Sequence, residues 1–361
     1  MRTNKDKKRG VSDLELAKAL KGIRAVASDE QYERIQAEFS AEGDLERIAS
    51  RVSALTEEDE FAVLCRMMGT VTHIVPLGQS PLIKGDSTAA DFMARFQPGL
   101  WIDNKKPEDH KGYPCFVEVK STSKLKLKIS QADLLRRRSF AASFGLPLLF
   151  AVRFTRFPGN AYWVILHDSD WSKPTLTVSV KDLFSGLRHV LFNEYWYMLR
   201  PGTIFECVFD RATDEYAMRH AEYGGLLTFT IVNGDRAILF EHEEASLWSA
   251  FFEAYRLRKA DSRPAGSRTT AAFEPGVAAC SIIDLVYCFN SLPVDADGRR
   301  GFDASRMIAR ADLGQKSILI AERDKIDAGA VRMQQAGVLF LVGVGSVEDH
   351  RRLWAEYGGR T

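Results

Sequence analysis

Hydrophobic positions in the first 68 residues recur at helical spacing. Ser12 with Glu15 and Ser28 with Gln31 form capping-box patterns, and Thr56 opens a third helix whose Phe61, Leu64, Cys65 and Met68 lie along one stripe. After Gly69 the period shortens to that of strands. Residues 71–75, 89–92 and 114–120 are β-rich, and in the last run Cys115, Val117 and Val119 alternate with Phe116, Glu118 and Lys120. Residues 130–144 return to the helical period and are closed by Gly145 and Pro147; 148–154 and 161–167 are apolar strands. A strand, a crossover helix and a second strand predict a right-handed parallel βαβ unit, with residues 71–118 as a meander ahead of it.

The second half reads differently. Residues 203–209, 226–232 and 237–241 are strand-like, Asn233-Gly234 is a hairpin signal, and an aromatic helix follows around 248–255. Residues 260–272, with Pro264, Gly266 and no periodicity, read as a linker. Strands at 317–321 and 338–344 flank a helix near 327–336. The expected division is therefore a helical region at 1–55, a core at 56–200, a β-rich accessory domain at 201–259, the linker at 260–272 and an α/β domain at 273–361. The aromatic runs 192–197 and 251–255 read as helical core or dimer contacts.

With 45% hydrophobic and 27% charged residues, the composition is that of a globular protein and not of a disordered chain. No apolar run is long enough for a membrane span, and the basic start has no apolar segment behind it, so a cytoplasmic protein with no membrane partner is expected. The five cysteines lie far apart without a CxxC pair and read as core thiols. The histidines lack HxH or HExxH spacing, which argues against a His-based zinc site. Basic and acidic residues nearly cancel, 49 against 48, so attraction to nucleic acid must come from local patches.

The chemistry concentrates in Asp91 and Glu118-Val119-Lys120. Two carboxylates on adjacent strands can share a hard divalent cation, Mg²⁺ or Mn²⁺. Lys120 shares a strand face with Glu118, where an ammonium can orient water and offset charge on a pentavalent phosphate. These residue types suit phosphodiester hydrolysis.

At these positions the chain resembles the PD-(D/E)XK nuclease superfamily, and within it the archaeal Holliday junction resolvase and restriction-endonuclease-like branch. The resemblance covers residues 56–167: a Glu-bearing helix (Glu57, Glu58, Glu60, then Phe61, Leu64 and Gly69), Asp91-Phe92, the strand Phe116 to Ser121, and a helix ending Phe144-Gly145-Leu146-Pro147 before a second strand. Ala90 stands where the family has Pro, and the gap from Asp91 to Glu118 is long, an expected extended hairpin with 101–113. The resemblance implies Asp91, Glu118, Lys120 and Gln131 as catalytic residues. It implies Asp91, Glu118, Val119 and Glu58 as the metal set, Glu58 acting through water, with Glu57 and Glu60 as alternatives. The implied fold is α/β, a restriction-endonuclease-like mixed sheet flanked by helices, with an N-terminal helical extension and C-terminal α+β and α/β accessory domains.

Beside this set, Lys124, Lys126, Lys128, Arg136, Arg137 and Arg138 form a basic segment expected to contact DNA phosphates. The function these features imply is Mg-dependent DNA endonuclease activity of a restriction or anti-phage type. A branched-DNA resolvase and a non-cutting DNA-binding subunit are the alternatives. One D…ExK set per chain makes a homodimer the simplest route to a double-strand cut. Two weaker motifs, Gly343 to Ser346 and Glu322 to Lys325, read as a plain turn and as surface charge.

Overall fold

Each change of hydrophobic period marks a change of element in the chain, which forms a mixed α/β structure with several sheets. A computed structural model describes residues 13–39, 45–78, 87–97, 112–157, 160–168, 175–183, 186–212, 219–291, 304–305, 308 and 322–343. Helices α1 (Asp13–Val26) and α2 (Asp29–Phe39) meet at a reciprocal capping box: the Ser28 N–H donates to Gln31 Oε1 at 3.1 Å and the Gln31 N–H to Ser28 Oγ at 3.2 Å. Ser12 lies outside the described residues. Helix α3 (Leu45–Met68) starts well before Thr56. Good helix formers such as Glu46, Ala49, Arg51 and Ala54 carry the helix through the apparent cap. The expected boundary at 55/56 therefore falls inside one helix.

Strands β1 (Val71–Pro76), β2 (Phe92–Phe96) and β3 (Tyr113–Thr122) form the antiparallel meander. The extended hairpin expected at 101–113 lies largely outside the described residues. After β4 (Lys126–Ile129), α4 (Gln131–Ser143) is capped by Ser130, whose Oγ accepts from the Asp133 N–H at 3.2 Å. Gly145, at φ 65°, lets the chain turn back into β5 (Leu148–Phe154), parallel to β3 with Glu118 opposite Phe150. β6 (Trp163–His167) completes a sheet of order β1-β2-β3-β5-β6, and β7 (Leu176–Ser179) pairs with β4. Alternation along β3 sends Cys115, Val117 and Val119 into a core shared with α3, and Phe116 into a second core with Phe150, Val152 and α4's Leu134.

The remaining elements depart from the expected domain plan. After α5 (Arg188–Leu191), the run 195–199 is strand β8 (Tyr195–Leu199), with Tyr195 and Tyr197 buried, and not a helix. Strands β9 (Ile204–Asp210), β10 (Arg219–His220), β11 (Gly224–Asn233) and β12 (Arg236–Glu241) belong to an antiparallel sheet. Asn233 pairs with Arg236 across the turn, with Gly234 at φ 62°. Helix α6 (His242–Glu253) covers the sheet's inner face, where Phe252 meets Phe205 at 4.6 Å between ring centroids.

Residues 260–272 are not a linker. They fall within the hairpin of β13 (Arg258–Ala265) and β14 (Arg268–Glu274), which extends this sheet through β9. β13 is an exposed edge, so no apolar alternation betrays it, and an edge tolerates Pro264. The tail does not form a separate α/β domain among the described residues. β15 (Ala279–Ser281) and β16 (Leu339–Gly343) both pair antiparallel with β8, while α7 (Ile282–Ser291) and α8 (Arg323–Gln335) join the same apolar core as α3. The expected strand at 317–321 and the turn residues 344–346 lie outside the described residues.

Two buried ion pairs tie this assembly together. Arg188 grips Glu194 at 2.6 and 3.0 Å and donates to the Ala161 carbonyl at 3.2 Å. Arg153 on β5 meets Glu60 of α3 at 2.7 Å and the Tyr287 hydroxyl of α7 at 3.3 Å. The five cysteines are free, four of them buried, and no helix among the described residues is long and apolar enough to cross a membrane.

Candidate active site

Asp91 immediately precedes β2, and Glu118 lies where its neighbour strand β3 nears its end, so the register places the two carboxyl groups side by side. Both are buried, at 5% and 1% exposure. Asp91 Oδ2 accepts the Val119 N–H at 2.7 Å, and the Asp91 and Glu118 side chains are close enough to hydrogen-bond to each other. Like charges at such separation cannot both ionise freely. Burial, then Asp91, pushes Glu118 up to about 8 against the pull of Lys120 and Arg137. Burial also raises Asp91, although the Val119 N–H opposes it.

Two cations bracket Glu118. Lys120 Nζ reaches Oε1 at 2.6 Å, and Arg137 Nη1 reaches Oε2 at 2.7 Å. Arg137 Nη1 also donates to the Ala89 carbonyl at 3.0 Å, and Oε2 has no aligned hydrogen-bond donor despite the ion pair. Arg137 is thus part of the carboxylate cluster and not of a surface basic row, which corrects its assignment as a DNA contact. The available sequence signal was its position in the buried stripe Leu134, Arg137, Ala141 on α4. Arg138 is drawn to Asp168 at 2.8 Å. Lys124, Lys126, Lys128 and Arg136 are exposed, and so is Gln131 at the start of α4.

The three candidate helix glutamates separate. Burial, then the charge of Asp91, raises Glu58 to about 7, and Lys18 and Lys21 of α1 oppose this shift. Glu57, also raised to about 7 by burial, interacts with Glu60 and Arg153. Glu60 is held by Arg153 and by the Trp163 indole N–H at 3.1 Å.

Among the described residues, no three His, Cys, Asp or Glu side chains form a group able to hold a metal ion alone. Mg²⁺, however, needs only one or two carboxylates because it keeps several waters. The Asp91–Glu118 pair, with the incompletely bonded Glu118 Oε2, fits that requirement. The Val119 carbonyl lies next in the chain, and Glu58 lies within electrostatic reach of Asp91.

These shifts predict a pH effect on stability without metal. A carboxyl near 8 in the folded chain and 4.5 in the unfolded one keeps its proton longer when folded, so stability is full below about pH 4.5 and declines as pH rises through 8. From pH 5 to 8 the metal-free protein should lose on the order of 3–4 kcal/mol, or roughly 5 °C in Tm. Mg²⁺ should restore more at pH 8 than at pH 6. Thermal unfolding at both pH values checks this, and a flat profile with equal Mg²⁺ shifts would contradict it.

No family model matches the sequence, and no curated protein matches it. Among solved structures the chain is similar to Hjc from Archaeoglobus fulgidus, a Holliday junction resolvase, with 14% identity and a TM-score of 0.25 over 36% of this chain and 91% of that one. At that level of similarity, the chemistry rests on the geometry of the residues themselves.

Proposed function

We propose that the protein is a metal-dependent endonuclease that hydrolyses DNA phosphodiesters, built on a restriction-endonuclease-like core. The observation that carries this reading is the buried Asp91–Glu118 pair with Lys120 bonded to Glu118 on the same strand face. A bound Mg²⁺ or Mn²⁺ would lower the pKa of a water and polarise the phosphoryl oxygen. Asp91, Glu118 and the Val119 carbonyl would hold it, with Glu58 completing the shell through water. Lys120 orients the attacking water and offsets charge on the pentavalent phosphate. Arg137 keeps Glu118 in place and balances its charge. Gln131, exposed at the start of α4, lies within the same crossover and is proposed to contact the reacting phosphate.

Lys124, Lys126, Lys128 and Arg136 supply phosphate contacts beside the site. Replacing the three lysines with Ala should weaken binding to every DNA sequence alike and reduce the salt slope by roughly 0.9 per lost contact. Binding isotherms at several salt concentrations check this; an unchanged slope would show that the row does not touch DNA.

The elements beyond residue 200 favour a specialised restriction or anti-phage nuclease over a small resolvase. One Asp91–Glu118 site per chain implies a homodimer for cutting both strands. Light scattering of free and DNA-bound protein, together with plasmid products, tests this: dimers should linearise plasmid. A monomer that linearises it in one binding event would overturn the dimer.

A further inference from the structure

A second concentration of positive charge lies away from the five-stranded sheet. Residues 256–268 carry Arg256, Arg258, Lys259, Arg263 and Arg268 against a single acid, Asp261. All five cations are exposed on the β13–β14 hairpin or at its base. Exposed Arg211 joins them at the tip, where its N–H donates to the Ser267 carbonyl at 3.1 Å. Neutralisation is partial. Arg263 meets Asp261 at 2.9 Å with side chains 84% and 52% exposed, a pair that yields readily to a competing phosphate, and exposed Arg268 meets the buried Asp210 at 3.4 Å.

The hairpin base is also bonded to the connection that follows β5. Arg256 Nη2 donates to Asn160 Oδ1 at 3.4 Å, and Asn160 lies in the connection that follows β5. That connection is bonded to the end of β3 through the Thr155 N–H and the Thr122 carbonyl at 2.9 Å, and it carries exposed Arg156. Exposed Arg156 and Arg256 thus lie along the connection that joins this sheet to the base of the hairpin. At the base, Lys259 is fixed by the Tyr223 hydroxyl and lies 4.9 Å from the centroid of its ring.

We propose that the β13–β14 hairpin is a second contact for the phosphate backbone of duplex DNA, extending the basic surface beside the active site. The inference rests on the nucleolytic reading above. At about 3.3 Å per residue β13 spans roughly 23 Å, the axial rise of about seven base pairs at 3.4 Å each. Among the described residues β13 is an edge strand that pairs with β14 alone, so its outer side offers a double helix an unpaired edge. Arginine and lysine on an extended strand position the duplex without reading its sequence. The hairpin thus lengthens the footprint and adds no sequence preference.

The test is the salt dependence of binding to a duplex of about 40 base pairs, for the full chain and its Arg258→Ala/Lys259→Ala/Arg263→Ala variant, with circular dichroism as the fold check. The variant should bind more weakly at ~150 mM salt, with a slope lower by up to about 2.7, or 0.9 per contact. An unchanged slope overturns the hairpin contact. If the Lys124/Lys126/Lys128 variant still lowers the slope in the same assay, the DNA reading survives that failure. Absence of duplex binding by the parent would sink both. A slope change seen with single-stranded RNA and not with duplex DNA would overturn the assignment of the ligand.

Discussion

Asp91→Asn and Glu118→Gln should each slow DNA cleavage about a thousandfold or more, the loss expected when ~4 kcal/mol of charge stabilisation at the reacting phosphate disappears. DNA affinity should change little, because phosphate contacts on exposed lysines are separable from the buried carboxylates. Both substitutions keep side-chain volume, and each removes a like charge from a crowded pair, so the metal-free proteins should be at least as stable as the parent near pH 8. Gel-resolved cleavage beside binding and thermal unfolding measures all three. Full cleavage by either variant would remove the pair from the reaction.

Arg153→Ala should cost ~3–5 kcal/mol of folding stability, the typical loss when one partner of a buried ion pair is removed. Arg153 is 4% exposed and holds Glu60 at 2.7 Å, the Asn160 carbonyl at 2.8 Å and the Tyr287 hydroxyl at 3.3 Å. Its loss strands Glu60 on the helix that also carries Glu58. The combined Arg153→Met/Glu60→Gln protein should recover much of the deficit, since no charge is then buried unpaired. Urea unfolding checks this through the midpoint at constant slope. A loss below about 0.5 kcal/mol for Arg153→Ala would show the pair to be energetically idle.

The core around the site was legible because its signals are local and strong. The alternation of β3, the Ser130 cap and the Gly145 stop each act within a few residues. Asp91 and Glu118 stood out by type and spacing, yet Glu57 and Glu58 could not be told apart, because they differ only in which way one helix turns them. Only tertiary packing sets Glu58 against Asp91 and Glu57 against Arg153. Arg137 was misread for the same reason: a charged run on α4 hides one member that points inward to Glu118. The β13–β14 hairpin was missed because an exposed edge strand needs no hydrophobic face; β16 was read as a strand, but its pairing with β8 was not, because β8 lies far back in the chain.

The reaction proposed for Asp91, Glu118 and Lys120 is metal-dependent DNA hydrolysis. Its most direct test is incubation of the full chain with plasmid, linear, single-stranded and four-way-junction DNA in Mg²⁺, Mn²⁺ or chelator, with products resolved on gels. Cutting of at least one of these DNAs is expected with either metal, none with chelator, and none with Glu118→Gln. Intact DNA under every metal condition, or cutting that persists in chelator and in Glu118→Gln, would contradict it.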